Sequence, residues 1–317
     1  MNQHSSLGRS GSLLERASEV YDFGAFLSAP PAPTVEKAVP PKPETAPVAA
    51  ATPEPVAKAP APVADAPAPI AAPRPAKAAG KAVIDRAALA ARGMISPDAP
   101  TGGLAEEFRI VKRQLLRNRA ALAEGRRHSV LVASAHPGEG KTFCAINLAL
   151  SLAGEEDVEV LLVDGDFSKP EILDTLGLEG GPGFLDAIAD PLADPEAFVI
   201  RTDIPGLSVL PAGRSVANAT ELLASGRTAD LLDRLGRHRP DRIVLFDSPP
   251  ALMASQAAVI AGHVGQTLMI VRADQTIEAD LREALGLLSA CPHVSLLLNA
   301  AAMGSGRRFG SYYGKAA

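Results

Sequence analysis

The feature that most restricts how this chain can fold is one short passage. An apolar run, Val130-Leu131-Val132-Ala133, leads into Ala135-His136-Pro137-Gly138-Glu139-Gly140-Lys141-Thr142, and Ala145, Ile146, Leu148, Ala149 and Leu152 follow at helical spacing. Strand, glycine turn and helix in this order form a phosphate-binding loop, here with Ala in the first position where Gly is usual. Gly138 and Gly140 let backbone N–H groups converge on phosphate oxygens, and the new helix adds its positive end. Lys141 is placed to reach β/γ-phosphates, and the Thr142 hydroxyl to ligate Mg²⁺. The bound nucleotide is expected along Pro137, Gly138, Glu139, Gly140, Lys141, Thr142 and Phe143.

After Arg127 short apolar runs alternate with helical patterns. Strands are expected at Ser129–Ala133, Val158–Val163, Leu207–Leu210, Arg242–Phe246, Thr267–Val271 and Val294–Leu298, with helices between them, such as Thr220–Leu235 and Ile277–Leu288. Continuous apolar runs suit strands buried on both faces of a parallel sheet. The expected class is α/β: a doubly wound, mostly parallel sheet with helices on both faces and its ligand at the carboxyl ends of the strands. Two of those strands end in acid. Leu161-Leu162-Val163 runs into Asp164-Gly165-Asp166, and Ile243-Val244-Leu245-Phe246 into Asp247-Ser248-Pro249-Pro250. Asp164, Asp166 and Asp247 would then converge near Thr142, which suits a Mg²⁺ ion that shares phosphate oxygens. Asp164 and Asp247 are the expected metal carboxylates, and Asp164 or Asp166 the expected base.

Composition divides the chain. Of 28 prolines, 15 lie between Pro30 and Pro75, among Ala, Val, Lys and Glu. Such a stretch buries too little apolar surface to offset its ordering entropy, and reads as a semi-extended tether with a reach on the order of 100 Å. The expected layout is a short amphipathic segment at 1–27, a disordered Pro/Ala linker at 28–95, a catalytic domain at 96–303 and a flexible tail at 304–317. A net charge of −5 argues against general nucleic-acid binding. Cys144 and Cys291 match no metal spacing, and Cys144 reads as a small buried apolar residue. No apolar run is long enough to span a bilayer, so membrane association would need a partner.

Three smaller features carry expectations. In Ser12–Phe26, Leu13, Leu14, Ala17, Val20 and Tyr21 share one helical face, which reads equally as a docking peptide or as a weak helix. From Leu104, Glu106, Arg109 and Lys112 recur every three residues beside an apolar stripe of Phe108, Val111 and Leu115. That is a solvated charged face or, more sharply, a subunit contact. Two of the three tyrosines, Tyr312 and Tyr313, fall in the last six residues, behind the Gly/Ser/Arg-rich Gly304–Ser311.

These residues together resemble the bacterial tyrosine kinases of capsule and exopolysaccharide export, the BY-kinases, within the MinD/ParA-like P-loop NTPases. Ser134–Thr142 is similar to their Walker A motif, Leu161–Asp166 to their Walker A′ and Ile243–Pro250 to their Walker B. Glu106-x-x-Arg109-x-x-Lys112 is similar to their oligomerisation motif, with Lys replacing the last Arg. Within the family the resemblance is strongest to the autokinases of PEP-CTERM/exosortase loci, through Glu106–Arg113, Ile204–Gly213, Ala219–Ser225 and Asp241–Pro250. It covers roughly residues 100–315. The resemblance implies ATP- and Mg²⁺-dependent autophosphorylation of Tyr312 and Tyr313, in trans within a homo-oligomer. It also implies regulation of polysaccharide export and a cytoplasmic location peripheral to the inner membrane, held there by a Wzz-like chain-length-determinant protein.

Departures from the family pattern bear on these expectations. Ser168, with Lys169 beside it, stands where Walker A′ usually continues to Arg, and Lys lacks the planar fork. Leu298-Asn299-Ala300 replaces the more usual Asn-Lys pair. Asn299 is a candidate adenine contact, because an amide pairs with donor and acceptor edges, and equally a strand-end turn residue. His136, read as a solvent-facing spacer, occupies the place of the signature lysine of MinD/ParA positioning ATPases. Its presence argues against the first rival reading, an ATPase switch without kinase activity. The second rival is a regulatory scaffold recruited through the tether.

Overall fold

The computed structural model describes residues 81–98, 102–214, 216, 218–237 and 239–301. The Ser12–Phe26 segment, most of the Pro/Ala stretch and the tail with Tyr312 and Tyr313 lie outside the described residues.

Seven strands form one sheet: β1 (Ser129–Ser134), β2 (Glu159–Asp164), β3 (Ile200–Arg201), β4 (Leu207–Leu210), β5 (Arg242–Asp247), β6 (Gln266–Arg272) and β7 (Val294–Asn299). Their order is β3-β4-β2-β5-β1-β6-β7. All neighbouring pairs are parallel except β3 with β4. The six strands expected from apolar runs are present within a residue or so of their expected ends. The two-residue β3 has no periodic signal that would announce it.

Alternation along the strands divides the core. Leu131, Leu161, Val163, Val244 and Phe246 face one side, with Phe184 edge-on to Phe246 at 5.5 Å. Val130, Val132, Leu162, Ile243 and Leu245 face the other. The second face is covered by α1 (Arg86–Ala91), α2 (Gly103–Ala121), α3 (Lys141–Ala153) and α4 (Ile172–Leu176). The first is covered by α5 (Phe184–Ala189), α6 (Ala219–Ala224), α7 (Gly226–Arg237), α8 (Gln256–Ala261) and α9 (Glu278–Leu287). At the amino ends of β2 and β5 the buried Arg242 forms ion pairs with Glu159 and Glu196, far from the acidic strand ends.

Two expectations are corrected. The helix expected over Thr220–Leu235 is two helices. Ser225 is extended, with ψ 158°, and its Oγ donates to Leu222 O at 2.6 Å before α7 begins at Gly226. Residues 81–95, assigned to the linker, are part of the domain. Ile84 and Leu89 are buried in the core, and the Ile84 amide donates to Asp203 at 3.0 Å. Asp85 caps α1 through Ala88 N, and the Ile95 amide donates to Asn147 of α3 at 2.7 Å.

Candidate active site

β1 sits between β5 and β6, and the chain leaves β1 toward β2 on one side and leaves its neighbour β6 toward β7 on the other. The carboxyl end of such a strand opens into a crevice, the usual ligand position in this architecture. The turn after β1 lies there. Gly140, with φ 93°, caps α3, and a Cβ on it would meet the Asn299 amide nitrogen at 2.2 Å. Only glycine serves at this position.

The strand register brings the acidic ends together. Asp164 and Asp247 are direct neighbours across β2 and β5, and Val132 faces Asp247 from β1. Thr142 Oγ1 donates to Asp247 Oδ2 at 2.6 Å, and Lys141 Nζ to Asp166 Oδ2 at 3.1 Å. The Asp164 oxygens accept the amides of Asp166 at 3.3 Å and Ile172 at 3.2 Å. Burial pushes Asp164 up to about 7 and Asp247 up to about 6. For Asp247, the Lys141 charge and the Thr142 hydroxyl oppose that rise. Burial also pushes the Cys144 thiol up to about 12, in keeping with an inert packing residue.

Asp247 answers whether a cation fits. Its Oδ1 is buried with no hydrogen-bond partner among the described residues, while Oδ2 holds Thr142. A buried carboxylate oxygen left unpaired is costly unless a cation or water meets it. The three carboxylates converge, and the charges of Asp247 and Asp166 add to the rise of Asp164, but they do not form one cage, since Asp164 is turned to backbone amides and Asp166 to Lys141. No group of three or more His, Cys, Asp or Glu side chains among the described residues could hold a metal. Thr142 and Asp247 remain, a donor set suited to Mg²⁺ that keeps waters and shares phosphate oxygens.

Several side chains have tasks other than those expected. His136 is no free spacer: its Nε2 lies 2.7 Å from Asp280 Oδ2 of α9. Both functional ends of the Asn299 amide are engaged, Nδ2 donating to Glu139 O at 2.8 Å and Oδ1 accepting Ala300 N at 2.9 Å. Lys169 extends into solvent and pairs with Glu171 at 2.6 Å. Glu106 pairs with Arg109 along α2. Lys112, expected beside them in a subunit contact, is only 7% exposed. Its ammonium donates to Ser151 O at 2.8 Å and pairs with Glu155 at 2.5 Å, at the carboxyl end of α3. A cation there is favoured by the helix dipole, so Lys112 joins two helices of one chain.

Sequence reasoning missed the outer supports of the loop. The Arg272 Nη1 donates to Gly138 O at 2.6 Å, and Thr276 donates to the buried Glu139 carboxylate. The other Glu139 oxygen accepts the His136 amide at 2.9 Å. An Arg closing an apolar strand was the available signal. It was mute because strand order, which puts β6 beside β1, is not written locally.

No protein-family model matches the chain. Among curated proteins it is 31% identical over 165 residues to the tyrosine-protein kinase ptk of Acinetobacter johnsonii, over 52% of this chain and 22% of that protein. It is 27% identical over 225 residues to the tyrosine-protein kinase YwqD of Bacillus subtilis, over 70% of this chain and 92% of that protein. The chain is homologous to the bacterial tyrosine kinases over these stretches. The fold agrees: the kinase domain of the Escherichia coli tyrosine kinase ETK matches with a TM-score of 0.58 at 21% identity, over 72% of this chain and 91% of that one. The matched stretch is about a fifth of the length of the longer relatives, ptk among them. No helix among the described residues of this chain is long and apolar enough to cross a membrane.

Proposed function

We propose that the chain is an ATP-dependent protein-tyrosine kinase that regulates exopolysaccharide synthesis or export. The observation that carries this is the joining of three motifs at one sheet edge, where Thr142 meets Asp247, Lys141 meets Asp166, and Asp247 keeps a buried oxygen unpaired. Gly138–Thr142 would hold the phosphate chain, and Lys141 would turn from Asp166 to offset charge on the transferred phosphoryl group. Thr142 and Asp247 would hold Mg²⁺, which when bound neutralises charge shared by β- and γ-oxygens. Asp164, with its pKa near neutrality, matches the proton affinity of a general base for a tyrosine hydroxyl, with Asp166 as the alternative.

The acceptors in this reading are Tyr312 and Tyr313, presented by another copy of the chain. Glu106 and Arg109 are the partly exposed side of the proposed subunit contact. A chain-length-determinant protein of the inner membrane is the proposed partner, keeping a cytoplasmic kinase at the membrane. The segments Ile204–Gly213 and Ala219–Ser225 favour a PEP-CTERM/exosortase polysaccharide locus as its setting. The amphipathic segment at 1–27 and the Pro/Ala linker after it would serve as tether, and 304–317 as the acceptor tail.

Incubation with ATP and Mg²⁺, with the partner's cytoplasmic segment present, followed by intact-mass and phosphosite mapping, tests the proposal. Phosphate on Tyr312 or Tyr313, lost in Lys141→Met, is the expected result. ATP turnover with no phosphotyrosine would overturn it in favour of a nucleotide switch.

A further inference from the structure

The phosphate loop is held from outside by groups that its motif does not contain. Arg272, at the end of β6, donates to Gly138 O at 2.6 Å. Asn299, at the end of β7, donates to Glu139 O at 2.8 Å. In a trans peptide the carbonyl of one residue and the N–H of the next point in opposite directions. Fixing the Gly138 carbonyl outward therefore turns the Glu139 N–H inward, and fixing the Glu139 carbonyl does the same for Gly140. Among the described residues neither amide is taken by another protein group. These are two of the amides that a phosphate loop offers to the α- and β-phosphates.

The Glu139 side chain locks the same segment a second time. It is 4% exposed, accepts the His136 amide at one oxygen and the Thr276 hydroxyl at the other, and so spans the loop and the turn that leads to α9. His136 and Asp280 close the outer side at 2.7 Å. Gly138 and Gly140 both have positive φ, at 79° and 93°. Glycine loses much conformational entropy on being held so, and a loop built on two of them gains order from external supports.

We infer that Arg272 and Asn299 are positioning residues for the phosphate chain, acting through the orientation of the Glu139 and Gly140 amides. This rests on the nucleotide reading of the site and gives Asn299 a task other than adenine recognition. Preorganised amides act on phosphate whatever base is attached, so the two residues govern phosphate affinity and leave base preference unchanged.

Binding of ATP, ADP, AMP and GTP by the full chain, measured by calorimetry with Mg²⁺ for wild type, Arg272→Met, Arg272→Lys and Asn299→Ala, tests this. Melting of each variant without nucleotide confirms a folded chain. Arg272→Met and Asn299→Ala are each expected to weaken ATP, ADP and GTP alike, by roughly 10- to 100-fold, with a smaller loss for AMP, which lacks the β-phosphate. Arg272→Lys, which retains a donor, should recover part of the loss. A loss confined to ATP with ADP retained would make Arg272 a γ-phosphate contact and overturn the inference for it. A loss of ATP with GTP retained would restore Asn299 to adenine recognition and overturn it there. Variants that bind ATP and ADP within about twofold of wild type overturn it altogether. A wild-type chain that binds none of the nucleotides overturns the reading of the site itself.

Discussion

At 1% exposure Asp247 is held where a charge is hardest to keep, and it holds one oxygen for Thr142 and one for nothing in the described chain. Its pKa and that of Asp164 are raised first by burial, to about 6 and about 7. A carboxyl whose folded value exceeds its unfolded value binds more protons in the fold than in the open chain. Its contribution to stability is complete below the unfolded value and is lost as pH rises through about 6 for Asp247 and about 7 for Asp164. Nucleotide-free Asp247→Asn is therefore expected to be more stable than wild type at about pH 8, by an amount on the order of 1–3 kcal/mol. Thermal melts from about pH 5 to 8 check it, and a pH profile parallel to wild type would contradict it. Lys141→Met, by contrast, is expected to leave the fold intact and to lower nucleotide affinity sharply, read by calorimetry beside its melting curve. The acidic residues were legible because each closes an apolar run. That one of them would face Thr142, one Lys141 and one only backbone was not, because register decides it.

The elements that surround the site depend on one another in ways their own sequences do not disclose. α1 is six residues long, too short to be stable alone, and it persists because Leu89 is fully buried. Asp203, from the turn after β3, also bonds the Ile84 amide and Arg86. Removal of residues 1–80 is expected to leave the melting temperature nearly unchanged, whereas removal of 1–95 should lower it strongly. Leu89→Ala should cost about 2–4 kcal/mol in denaturant titration. The boundary is hidden in the sequence because Ala82-Val83-Ile84 and Ala87-Ala88-Leu89 continue the small, apolar composition of the tether. α2 gives the opposite lesson. Its charged face was visible, but Lys112 turns inward to Glu155 and Ser151 O. Lys112→Ala leaves a carbonyl and a carboxylate without their cation, and should destabilise the domain by about 1–3 kcal/mol. A shift in oligomeric state with no loss of stability would contradict that reading.

For the whole molecule, the proposed kinase needs two copies, because the acceptor tyrosines and the strand-end acids are to meet between chains. A Lys141→Met chain mixed with a chain carrying Tyr312→Phe and Tyr313→Phe is expected to acquire phosphate on the Lys141→Met partner only. Mass spectrometry of the two chains reads this directly, and phosphate that appears only within wild-type chains, at a rate independent of concentration, would contradict transfer in trans.

The sequence by itself determined the strand–turn–helix loop, the α/β class and the acidic strand ends. Each is local: apolar runs mark strands buried on both faces, and glycines mark a turn that other residues cannot make. The tertiary structure decided which strand lies beside which, and with it everything the site borrows from afar. Placing β6 beside β1, and β7 beyond it, brings Arg272, Thr276 and Asn299 to the loop. Pairing β2 with β5 sets Asp164 against Asp247. Strand order is a competition among packings of the entire chain, and no window of sequence around Gly138 or Asp247 contains the residues that settle it.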